Sequence, residues 1–218
     1  MPYEPLRQSL PFHRSNPQAF FTYIHLYFRP QISGAHYIPP EGAFLLTSNH
    51  ASHADTAIIF SALPPHLRHR VVAAAARDYF FEGGWQQSAA RILFNAIPVD
   101  RETTKGEDPL RHVVRALDEG YGVVIYPEGT RSQTGKIGPF RRGVGRLIAL
   151  FPTIPVIPLR LIGTAQALPK GASFPRPRTV HVYFGPPLQL QADLKNRTTW
   201  QTAADAVREA VLQLEADA

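Results

Sequence analysis

Hydrophobic positions in this chain fall into short runs separated by polar, Gly-bearing or Pro-bearing segments, and their lengths and periods predict alternating strands and helices. Ala43 to Ser48, bounded by Glu41-Gly42, reads as a buried strand; Thr56 to Phe60, closed by Pro64-Pro65, reads as a short helix. Val71 to Ala75 is a second strand, Gly83 to Phe94 has helical composition, and Ile97 to Arg101 is a short extended piece ending in charge. Asp108 to Glu119 carries Leu110, Val113, Val114 and Leu117 on one helical face and stops at Gly120. Gly122 to Pro127 is the most strand-like run, and Arg142 to Phe151 reads as a helix. Pro155 to Ile162 reads as an edge or bulged strand, because proline cannot donate to a ladder, and Thr179 to Phe184 is another strand. Near the start, Pro17 to Phe28 is a strongly aromatic helix with Asn16 as its cap; near the end, Thr198 to Asp217 places Trp200, Ala203, Val207, Val211 and Leu214 on one side of an amphipathic helix. The alternation predicts an α/β fold with a mixed, largely parallel central sheet flanked by helices. A single domain spans 1–218, with 1–40 an N-terminal arm and short aromatic helix and 198–218 the C-terminal helix.

Composition narrows the chemistry. The chain has no cysteine, which removes disulfides, thiolate nucleophiles and sulfur-ligated zinc together. Its 23 Lys and Arg against 17 Asp and Glu give a formal charge of +6, a surplus that suits phosphate-bearing partners or an anionic membrane surface. No run approaches the roughly 20 apolar residues of a spanning helix, and the first residues lack the order of a signal peptide. A cytoplasmic protein, peripheral on the inner face of a membrane, is the expectation. The aromatic helix around Phe20 to Phe28 is open to two readings, docking at a lipid interface or packing into the core.

Two polar loops follow predicted strands, the position where α/β folds collect ligands. In Asn49 to Asp55, Asp55 starts a helical run and is placed to cap it, while His50 can fold back against the same carboxylate. A carboxylate beside an imidazole fixes its tautomer and stabilises the imidazolium formed when the ring takes a proton, as a general base requires. In Tyr126 to Ser132, the strand delivers Glu128, a glycine that lets backbone approach a ligand, the Thr130 hydroxyl, and Arg131, whose planar fork matches a phosphate. Lys136, Arg141 and Arg142 add cations just downstream. The plainer reading of this loop pairs Glu128 with Arg131 on a solvated turn.

Asn49-His50, four residues and Asp55 resemble the first signature block of the glycerolphosphate and lysophosphatidate acyltransferase family. Ala96 to Arg101 resembles its second block, Tyr126 to Ser132 its third, and Ile154 to Pro158 its fourth, in family order over residues 40 to 165. The resemblance implies transfer of a fatty acyl group from a thioester of coenzyme A or acyl carrier protein to the hydroxyl of lysophosphatidate, giving phosphatidic acid. It implies His50 as base and Asp55 as its partner. Arg101 and Arg131 would bind phosphate, with Gly129 and Thr130 in the same substrate-binding loop, and Glu128 would bind the acceptor or order the arginines. Pro158 would shape the acyl pocket. No bound cofactor, metal or nucleic acid is implied; the partners are a lysophospholipid, the acyl donor and a membrane surface. Tyr126 stands where the family often has Phe, so its hydroxyl needs a partner.

Other readings stay open at this stage. The acceptor can be another lysolipid, such as a lyso-aminolipid, or a specialised hydroxyl or amine. A lipid-binding module without catalysis would retain the same blocks. His53 competes with His50 as base, Ser52 is a conceivable nucleophile lacking the Gly-x-Ser-x-Gly setting, and His50, His53 and Asp55 are groups that suit a zinc or manganese hydrolase.

Overall fold

The inner apolar runs lack polar alternation because both faces of the sheet they form are covered. The computed structural model describes residues 18–76, 94–100, 107–168 and 174–214. The expected N-terminal arm, most of the helix at 83–94, Arg101 and residues 215–217 of the last helix lie outside these. In chain order the elements are α1 (Gln18–Phe28), β1 (Gln31–Ser33), β2 (Phe44–Ser48), α2 (Asp55–Ala62), β3 (Val71–Ala76), β4 (Ile97–Val99) and α3 (Arg111–Asp118). Then follow β5 (Gly122–Ile125), α4 (Gly143–Leu150), β6 (Val156–Ile162), α5 (Thr164–Ala167), β7 (His181–Phe184) and α6 (Arg197–Gln213). The strands form one seven-stranded sheet in the order β1-β7-β6-β2-β5-β3-β4. Neighbours run parallel except β6 and β7, which are antiparallel, so the expected mixed, largely parallel sheet is present.

Successive side chains of a strand point to opposite faces, and the two cores follow that rule. Phe44 and Leu46 of β2, Val71 and Ala73 of β3 and Val124 of β5 pack with Phe21, Ile24 and Phe28 of α1 and Ile58, Ile59 and Phe60 of α2. Their neighbours Leu45, Val72, Ala74, Val123 and Ile125 face the other layer, against Val113 and Leu117 of α3, Val144 and Leu147 of α4, and Val207 and Val211 of α6. The aromatic face of α1 therefore packs inward at Phe21, Ile24 and Phe28, while Tyr23 and Leu26 of the same helix stay 59% and 69% exposed. Helix α6 begins as its sequence directs, with the Asn196 side chain accepting from Thr198 N at 3.0 Å.

Of the two readings of β6, edge or bulged, the edge is corrected: β6 is interior, lying between β7 and β2. Its proline is tolerated because the pairing shifts there by one residue: Leu159 is opposite Phe184 and Val156 bridges Leu188, so Pro158 falls in a bulge between them, where its carbonyl still accepts from Gly185 N at 2.8 Å. Strand β1, three residues with a mostly exposed pattern, had too short a period to be legible in the sequence.

The sheet also determines where the two polar loops meet. Strands β2 and β5 are parallel neighbours with Thr47 opposite Ile125, so the segments leaving their carboxyl ends, 49–55 and 126–132, emerge side by side.

Candidate active site

Asn49 continues the sheet by side chain just past β2. Its Oδ1 accepts from Leu161 N at 2.8 Å and its Nδ2 donates to Leu161 O at 3.0 Å, tying the start of the loop to β6. The next residue, His50, has Nδ1 2.8 Å from Asp55 Oδ2, and that oxygen also accepts from the amides of Ala51 at 2.8 Å and Ser52 at 2.9 Å. Asp55 therefore does not cap α2 as its position suggested. The helix starts at Asp55 with no side-chain cap, because the carboxylate turns back into the loop, where three donors converge. Asp55 is fully buried, and among the described residues its Oδ1 has no partner. Tyr126 lies against the imidazole, ring centroids 4.1 Å apart and planes 19° from parallel. Its hydroxyl finds the partner it needs in Thr56 Oγ1 at 2.9 Å, on the first turn of α2. Burial, and secondarily the Asp55 charge, push the phenol well above its ordinary pKa.

The 126–132 loop is stitched to the histidine loop from beneath. Glu128 is buried; Oε1 accepts from His50 N at 2.8 Å and Oε2 from Gly138 N at 2.9 Å, while Ser132 N donates to His50 O at 2.8 Å. The carboxylate expected to bind the acceptor or order the arginines is thus held by two amides, and it is not among the residues lining the cavity described next. The main-chain oxygen of Glu128 does meet an arginine, accepting from Arg141 Nε at 3.2 Å.

A cavity of about 620 Å³ opens at the carboxyl ends of the strands, and His50, His53, Gly129, Thr130 and Arg131 all line it, with Asp55 directly behind His50. Arg101 lies outside the described residues. Pro158 does not line this cavity: it sits within β6 opposite Thr47, buried in the sheet, because the strand carries the fourth block past the sheet interior rather than to its open edge. The volume has a local cause. The end of β3 is Ala73 to Ala76, whose minimal side chains leave the space that larger residues would fill. That alanine run was the sequence signal for the cavity, and its meaning needed the neighbouring strands.

His53 stands on the cavity wall with an edge open to solvent, and its pKa is lowered to about 4 by desolvation, with the Arg131 and His50 charges adding to it. Ser52 donates its hydroxyl to Leu168 O at 3.1 Å and is buried, so it is not aimed at a substrate. Among the described residues no three His, Asp or Glu side chains gather as metal ligands would. Thr56, Arg146 and Trp200, read from the sequence only as parts of helices, also line the cavity. Arg146 grips Asp108 by a two-bond fork, 2.7 and 2.6 Å, and holds that carboxyl below its usual range.

A family model described as Acyltransferase matches residues 29–162. The chain is 27% identical over 151 residues to the 1-acyl-sn-glycerol-3-phosphate acyltransferase BAT2, chloroplastic, of Brassica napus, covering 68% of this chain and 42% of that protein. It is 31% identical over 133 residues to the alpha enzyme of the same name from Ovis aries and 32% over 141 residues to the one from Cocos nucifera. These alignments cover 60% and 63% of this chain, and 44% of either relative, so the match spans less than half the length of the curated proteins. The crystal structure of the 1-acyl-sn-glycerophosphate acyltransferase PlsC from Thermotoga maritima superposes with a TM-score of 0.64 at 22% identity, over 91% of this chain and 81% of that one; it shares the fold. With more than half of its residues inside the matching model and the His50–Asp55 and Tyr126–Ser132 loops both within that span, this chain belongs to the acyltransferase family.

Proposed function

We propose that this protein transfers a fatty acyl group from an acyl thioester to the free hydroxyl of lysophosphatidate, producing phosphatidic acid and a free thiol. The observation that carries the proposal is the 2.8 Å His50 Nδ1–Asp55 Oδ2 contact in the wall of a cavity that Arg131 also lines. With the Nδ1 proton donated to the carboxylate, Nε2 is the nitrogen left to accept. It takes the hydroxyl proton as the oxygen attacks the thioester carbon; the carbon–sulfur bond then breaks and the departing thiolate recovers the proton from the imidazolium. Asp55, itself fixed by two amides, stabilises that imidazolium. Arg131 holds the acceptor phosphate, helped by Arg101, and Gly129 and Thr130 let it approach. Glu128 is a positioning group, holding the His50 and Gly138 amides in place.

The test is thiol release from acyl coenzyme A and from acyl carrier protein with lysophosphatidate as acceptor. His50→Ala is expected to lower kcat by about 10²–10⁴, the usual share of a positioned base; unchanged turnover in a folded variant overturns the assignment. Arg131→Lys keeps the charge and removes the fork, so KM for lysophosphatidate should rise while KM for a phosphate-free lysolipid should not. The protein works at a membrane surface in this reading, supported by the exposed Tyr23 and Leu26 one turn apart on α1. Co-sedimentation with anionic vesicles should fall when both become Ser, and equal binding by that variant removes α1 from the contact.

A further inference from the structure

Far along the chain from α1, a second stretch comes to lie beside it. Tyr27 donates its hydroxyl to Pro175 O at 2.8 Å, and Gln31 N donates to Val180 O at 2.8 Å, so residues 175–180 run alongside the end of the helix. Phe174, at the start of this strip, is 82% exposed, the most open large hydrophobic side chain among the described residues. Tyr27, which holds Pro175, has its ring 5.6 Å from that of Tyr23, and Leu26 stands open on the same helix.

Charge is added by the same two segments. In the interval between the two bonds the chain exposes Arg29 on one side and Arg176 and Arg178 on the other. Among the described residues none of the three bonds to a carboxylate, and residues 18–38 and 174–184 contain no Asp or Glu. Pro175 and Pro177 fix their own backbone angle and confine Phe174 and Arg176, which precede them, to extended conformations. Little ordering is therefore lost when this strip binds.

The surface is joined to the site. Arg176 N donates to Ala167 O at 2.7 Å, and the next carbonyl, that of Leu168, accepts from the Ser52 hydroxyl at 3.1 Å, inside the histidine loop. The strip thus links α1 to the loop that carries His50 and His53, both on the cavity wall.

We infer that α1 and residues 174–178 form one composite docking surface for an anionic bilayer. Phe174 enters the acyl region beside Tyr23 and Leu26, and Arg29, Arg176 and Arg178 meet headgroup phosphates. Open apolar side chains beside cations without carboxylate partners match a lipid interface; an acidic protein surface would satisfy the arginines and leave Phe174 and Leu26 uncovered. The inference goes beyond the α1 contact above by adding the strip. It rests on the acyl-transfer reading only for its purpose, which is to seat the histidine loop against the layer that holds the lysolipid.

Co-sedimentation of the full chain with phosphatidylglycerol vesicles and with phosphatidylcholine vesicles, beside titration with holo acyl carrier protein, tests it. Phosphatidylglycerol vesicles should bind at least about tenfold more tightly, and high salt should remove that advantage. Phe174→Ser should weaken phosphatidylglycerol binding by about tenfold, and Arg176→Gln combined with Arg178→Gln by about tenfold or more. Because these side chains are exposed, Tm should not change. Turnover of short-chain lysophosphatidate in solution should stay the same in each variant, while KM for vesicle-borne lysophosphatidate rises. Unchanged vesicle binding in either variant overturns the proposal, as does equal binding of the two vesicle types. Loss of carrier protein affinity with vesicle binding intact also overturns it and assigns the strip to an acidic protein. Failure of the acyl-transfer reading looks different: vesicle binding and its loss in the variants persist, yet no thioester turns over with either form of lysophosphatidate.

Discussion

His50 is constrained from three directions: Asp55 on Nδ1, Glu128 on its main-chain amide, and the flat face of Tyr126 on its ring. The first was readable from the sequence, because four intervening residues permit a turn. The other two were not, since Tyr126 and Glu128 lie more than seventy positions away and touch His50 only through the sheet. Tyr126 is also where the chain departs from the family's usual Phe, and the Thr56 contact shows how the extra hydroxyl is satisfied. Tyr126→Phe should keep the stacked face, with turnover within about threefold, and lose about 1 kcal/mol of stability, the net value of a hydrogen bond. Tyr126→Leu removes the flat face, and kcat should fall about tenfold with acceptor KM unchanged. Steady-state kinetics on both variants checks this; equal kcat values would show that the ring does not orient the imidazole.

Among elements, the helices and inner strands follow the hydrophobic pattern closely, because burial on one or both faces is written in the period of apolar residues. The element placed only in part was β6. Pro155 and Pro158 argued for an edge or a bulge, and only the register on either side of Pro158 shows that a bulge admits the proline inside the sheet. The contact between α4 and α6 was likewise invisible to periodicity. Gly145 of α4 meets the Trp200 backbone so closely that a Cβ would lie 1.8 Å from Trp200 O. Gly145→Ala would gain about 1 kcal/mol of helix propensity, yet the overlap with backbone costs about 3 kcal/mol or more, so the clash wins. A lower urea midpoint for this variant is expected; an unchanged midpoint would mean the helices separate freely.

For the whole molecule, acid should act in two windows. His53 has its folded pKa lowered to about 4 from 6.5, so as pH falls between those values the unfolded chain takes up a proton that the folded chain resists, and stability declines. Its solvent-open edge keeps that step small. Asp108, held below 3.8 by Arg146, contributes stability above 3.8 that is lost as pH drops through its folded value. Urea midpoints measured across pH should therefore decline in both ranges, and His53→Gln should flatten the upper decline; an upper decline of unchanged depth would assign it to other histidines. The sequence by itself determined the α/β alternation, the two polar loops and the chemical types within them, because strand and helix periods and residue chemistry are local properties. Only the tertiary structure decided that Glu128 turns inward, that Pro158 is sheet core, and that Ala73 to Ala76 and Arg141 to Arg142 share a cavity with His50. Those facts depend on which strands become parallel neighbours, and the order of strands in a sheet is set by packing between distant segments.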